Sequence, residues 1–142
     1  MTALDALQDT LADEHATLWT YGVLGARTSQ SATPVLHDAL ATAYVRHRAR
    51  RDRLRTLVED AGGDPVAADA AYALPGTVAS VAEVEAVAQE LEVRSTEVLL
   101  ALVAQSSGGV RGWALDEAVW SATWELELGG AATTWPGAPE LG

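Results

Sequence analysis

Cysteine, lysine and phenylalanine are all missing from this 142-residue chain, and methionine occurs once. Without thiols there is no disulfide framework, no cysteine-ligated zinc and no thiol nucleophile. Without lysine, all nine basic residues are arginines, set against twenty Asp and Glu for a net charge of −11. That balance repels polyanions and anionic lipid at long range, so neither nucleic acid nor membrane is an expected partner. Apolar runs are short as well, well below the ~18 residues of a membrane-spanning helix. The opening MTALDALQDTLADEH has neither the basic start nor the apolar stretch of a signal peptide, and the cytoplasm is the expected compartment. Proline is scarce too, with five in all, while Ala, Val and Leu are plentiful. Such a mixture suits helices better than sheets.

Four helical segments are legible, each with punctuation at its ends. The first is expected over residues 3–27, with Thr2 as cap and Leu4, Leu7, Leu11 and Leu18 on one stripe. Thr33-Pro34 opens a second over 34–61, which stops at Gly62-Gly63. Ser80 with Glu83 forms a capping-box pattern for a third over 81–106. A fourth follows over 110–128, leaving a tail at 129–142. Short connections join helices 1 and 2, and helices 3 and 4, so each pair is expected to be an antiparallel hairpin. Between the hairpins lies GGDPVAADAAYALPGTVAS, whose extended reach of about 60 Å exceeds the roughly 40 Å of a 27-residue helix. The expected fold is therefore all-α: two antiparallel hairpins joined by one long crossover, with helices 2 and 3 parallel, in a single domain.

The basic residues concentrate in YVRHRARRDRLR, residues 44–55, which holds six of the nine arginines. They encircle the helix instead of lining one face, so they do not form a nucleic-acid surface. His47, in contrast, falls within the apolar arc of Leu36, Leu40, Ala43, Leu54, Leu57 and Val58. Glu14 edges the leucine stripe of helix 1, and Glu117 sits among Val110, Trp113, Trp120, Trp124 and Leu128 on helix 4. A carboxylate among such neighbours costs several kcal/mol unless it is paired, protonated or bound to a cation. Helix 3, with an arc drawn through Val84, Val87, Leu91, Val98 and Leu102, places Glu90 and Glu97 well off that arc. Only Arg94 and Ser95 lie near it, so no inward carboxylate is expected there. His37 and His15 are expected at the solvent edge, and Tyr72 and Leu74 are expected to pin the crossover.

The helix pattern, the crossover and the phrases DEHATLWTYG, HRARRD and WPGAPE resemble a ferritin-like protein family of unknown function found in actinobacteria. Ferritin-like di-iron proteins carry a Glu, then Glu-x-x-His, on each of two helix pairs. The resemblance implies that Glu14 matches the first Glu, His47 the first His and Glu117 the Glu of the second Glu-x-x-His. Tyr44 and Trp120 stand where a further Glu and His belong. Two irons cannot be held by that remainder. Glu14, His47 and Glu117 are candidate ligands for one divalent iron, manganese or zinc ion. A buried salt-bridge network completed by Arg51 or Arg94 is the favoured reading of the same residues, with no cofactor.

The functional expectation is a non-enzymatic bundle with a degenerate di-iron site, serving binding or assembly. The alternative is a small metalloprotein in redox, detoxification or storage chemistry. Helix 4 also carries a second apolar arc of Leu115, Val119, Ala122 and Leu126, which needs its own cover. Either the tail folds back over it through Trp135, or a second subunit makes a homodimer.

Overall fold

The computed structural model describes residues 1–141, and among them the ordered elements are helices with no strand. The long helices are α1 (Ala3–Gly25), α2 (Pro34–Asp60), α3 (Val81–Gln105) and α4 (Gly108–Glu127), followed by a short 3₁₀ turn over Pro139–Leu141. Each end lies within two residues of its sequence expectation. The caps account for this: Thr2 with Asp5, and Ser80 with Glu83, close reciprocal capping boxes on α1 and α3. Pro34 opens α2 at a position where its missing N–H is no loss.

The core has three storeys. One apolar cluster joins Tyr21 and Leu24 to Leu36, Leu40 and Ala43, to Val84 through Leu91 on α3, and to Leu128. A second joins Ala6, Leu7 and Leu11 to Leu54, Leu57, Val58, Leu102 and Ala114. Leu11, Leu24, Leu54 and Leu102 are wholly buried, each worth roughly 1.5–3 kcal/mol of transfer free energy. Between the clusters every helix contributes buried polar residues: Glu14 and Thr17, His47 and Arg50, Glu92 and Ser95, Glu117 and Ser121. The sharing of clusters also gives the directions. The starts of α2 and α3 meet in one cluster and their ends in the other, so the two run the same way, each antiparallel to its hairpin mate.

The connection over residues 61–80 returns along α1. Gln8 Nε2 donates to the Asp64 carbonyl at 2.6 Å, and the Val66 N–H donates to Gln8 Oε1 at 2.9 Å. His15 Nε2 donates to the Val66 carbonyl at 3.0 Å, at the edge of the helix as expected. Tyr72 meets Trp19 edge to face with ring centroids 6.1 Å apart, and Leu74 packs against the first cluster. Tyr72 and Leu74 thus do pin the connection.

Of the two covers expected for the outer arc of α4, the tail is not one that the structure uses. Gly137, at φ 74°, lies so close to α3 that a Cβ would stand 2.8 Å from the side chains of Thr96 and Leu100. Only glycine fits that approach. Trp135 consequently remains 53% exposed, and Leu115, Val119 and Leu126 stay 47%, 59% and 45% exposed. The tail is spent on α3 and does not cover the outer arc of α4.

Candidate functional site

The polar storey is one connected hydrogen-bond network. Glu14 Oε2 faces His47 Nδ1 at 2.8 Å, and Glu14 Oε1 accepts from Arg50 Nη1 at 2.9 Å. The other imidazole nitrogen, Nε2, lies 2.9 Å from Glu92 Oε1, which also accepts from the Tyr21 hydroxyl at 2.5 Å. Arg50 continues the network to α4, donating from Nε to Glu117 Oε2 at 3.0 Å and from Nη2 to Ser121 Oγ at 3.2 Å. Arg46 closes it at the surface with two 2.9 Å bonds to the Glu117 carboxylate. Trp120 covers this end: the guanidinium carbons of Arg46 and Arg50 lie 5.3 and 5.8 Å from its ring.

Three carboxylates, Glu14, Glu92 and Glu117, are thereby matched by Arg46, Arg50 and a charged His47. An imidazole with a carboxylate oxygen at each nitrogen needs a proton on both. Burial opposes that charge, but Glu14 and Glu92 overcome it and raise the His47 pKa to about 9. Burial likewise pushes Glu14 upward, yet His47 and Arg50 prevail and hold it below the usual glutamate value. Tyr21 is raised well above 10 by burial and by Glu92, so its hydroxyl stays a donor.

Residues 6–140 match the domain of unknown function DUF4439. The chain belongs to that family. The structure is similar to a crystal structure of a conserved hypothetical protein, rv2844, from Mycobacterium tuberculosis, with a TM-score of 0.82 and 29% identity. The similarity covers 89% of this chain and 95% of that one. No curated protein matches.

Of the three candidate ligands in this DUF4439 chain, Glu14 touches His47 directly, while Glu117 is reached only through Arg50. The cations expected to balance them are corrected by the structure. Arg51 points outward to Asp52, at 2.6 Å. Arg94 is 68% exposed and pairs with Asp13 at the rim, where burial raises the Asp13 pKa despite that partner. Arg50, only 2% exposed, and Arg46 take their place. The expectation that α3 has no inward carboxylate is corrected as well: Glu92 is fully buried at the centre of the network. The buried face of α3 includes Ala88, Ser95 and Leu99 and is turned about 50° from the arc drawn through Val87 and Val98. Ser95, aligned with that face in sequence, was the available signal.

The donor set does not fit a divalent ion. Both oxygens of Glu14 and of Glu117 accept from cationic N–H groups, and both nitrogens of His47 face carboxylates. Glu92 Oε2 is the one carboxylate oxygen of the network buried without a partner. Among the described residues, no group of three or more His, Asp or Glu side chains is placed to hold a metal. Tyr44 is 39% exposed and faces the outer groove between α1 and α2. Among the described residues, no helix is long and apolar enough to cross a membrane.

Proposed function

We propose that this is a ferritin-like helical bundle with a degenerate di-iron site, in which the protein's own cations stand where metal ions would, and that it serves binding or assembly and not catalysis. The observation that carries the reading is Arg50, held between Glu14 and Glu117 in the middle of the core. A guanidinium there neutralises two carboxylates from two helices and is permanently charged. It has no redox chemistry and no labile ligand position. The polar storey then acts as a register device: each apolar storey alone tolerates sliding, whereas a helix moved by one turn leaves several buried charges unpaired.

Metal analysis of protein purified without chelators tests this directly. Iron, manganese and zinc are expected well below one ion per chain, with a thermal midpoint that does not respond to EDTA. A stoichiometric metal released by His47→Ala would replace this reading with that of a small metalloprotein.

A further inference from the structure

Resting on the assembly reading, we propose that the outer arc of α4 is the interface of a two-fold dimer of this chain, with α4 packed antiparallel against the same helix of a second copy. Leu115, Val119, Ala122 and Leu126 form a stripe spaced by four, three and four residues, the pattern that packs helix against helix. Three of the four are about half exposed, while the opposite face of α4 is buried in the bundle through Ala114, Glu117, Ala118 and Ser121. The neighbouring segments are already engaged elsewhere. The connection lies along α1, and the tail rests on Thr96 and Leu100 of α3.

The stripe is complementary to itself when reversed. Turned end for end about a point between Trp120 and Ser121, Leu115 faces the partner's Leu126 and Val119 faces the partner's Ala122. A two-fold interface requires that kind of reciprocity. The flanking charges agree. Arg111 is the one basic residue of α4 and lies beside the start of the stripe, while Glu125 lies on the same flank near its end. The two-fold brings each Arg111 toward the partner's Glu125, whose pKa is raised by burial and by the nearby Glu92. A guanidinium at that point offsets part of the repulsion between two chains that each carry −11. A parallel pairing would set Arg111 against Arg111.

The absence of native cysteine makes the geometry directly measurable. Leu115→Cys and Leu126→Cys chains are mixed under mild oxidation and also oxidised separately. Disulfide-linked species of twice the 14.9 kDa chain mass are expected only from the mixture. In the two-fold arrangement two copies of either cysteine stand about 16 Å apart along the axis, 11 residues at 1.5 Å, which no disulfide spans. Cross-linking of Leu115→Cys with itself would overturn the antiparallel register. A wild-type chain sedimenting as a monomer at tens of micromolar, with no mixed product, would overturn the dimer. Val119→Glu is expected to abolish association while leaving the thermal transition cooperative, since its site is exposed. None of these outcomes bears on metal content, so a failed dimer and a failed metal-free core can be told apart.

Discussion

The Tyr21 hydroxyl and the His47 imidazole converge on a single oxygen, Glu92 Oε1, at 2.5 and 2.9 Å. That leaves the second Glu92 oxygen buried without a partner. The carboxylate therefore depends on two donors at one atom. Tyr21→Phe removes one of them with almost no change of shape. The expected loss is about 1–3 kcal/mol, as for an uncompensated hydrogen bond to a buried charge. Urea denaturation checks it; a loss below about 0.5 kcal/mol would mean that His47 alone satisfies Glu92.

Arg50 and Arg51 are adjacent in sequence, yet their substitutions should differ sharply. Arg50→Met leaves Glu14 Oε1 without a partner and takes the buried cation from Glu117, and a loss of about 3–5 kcal/mol is expected. Arg51→Met removes only an exposed pair with Asp52, so its expected effect is within about 0.5 kcal/mol. Arg46, partly exposed and sharing Glu117 with Arg50, should fall between them. Equal effects at positions 50 and 51 would contradict the assignment of the interior guanidinium.

The contrast between those neighbours also shows how far the sequence could be read. Helix ends were legible because caps are local chemistry: Thr2, Pro34, Ser80 and the glycines after α2 and α4 each act within a few residues. The interior set depended on phase. Leu36, Leu40, Ala43, His47, Arg50, Leu54 and Leu57 alternate by four and three, a 3.5-residue period. Stepping at 3.6 residues per turn drifts about 20° per heptad and leaves Arg50 at the margin. On α3 Glu92 was concealed for a different reason: Val87 and Val98 pulled the arc away from the side that Ala88, Ser95 and Leu99 share with it. Polar residues contribute nothing to an apolar stripe, so a helix whose central turn is polar inside has its phase set mainly by its ends. The pairing of Glu14 with His47 was within reach because Glu14 edges one long leucine stripe and His47 lies within another.

The connection over residues 61–80 depends on one side chain at its start. Gln8 binds the carbonyl of Asp64 and the N–H of Val66 together. Gln8→Ala should release this end while Tyr72 and Leu74 hold the other. The expected result is faster amide hydrogen exchange at Val66, with a global loss of only about 1 kcal/mol. Unchanged protection at Val66 would show that the His15 bond to its carbonyl suffices.

The charge on His47 makes stability depend on pH in a defined window. Its pKa rises from 6.5 to about 9 on folding, so between those values the folded chain holds a proton that the unfolded chain has released. The contribution is fully present below about 6.5 and is lost as pH climbs through about 9. Integrated over that interval, the raised pKa of His47 is worth on the order of 3 kcal/mol. Glu14 acts in the opposite sense: its lowered pKa gives stability that is present above the usual glutamate value and lost as pH falls through the folded one. Stability should therefore be greatest between the two windows and decline on the alkaline side first through His47. His47→Gln keeps a donor and an acceptor at the site but cannot titrate. It should be less stable than the parent at pH 6.5, and its curve should be nearly flat from pH 6.5 to 9. Urea midpoints across that range decide the matter; parallel slopes for parent and variant would mean that His47 is not the group that carries the charge.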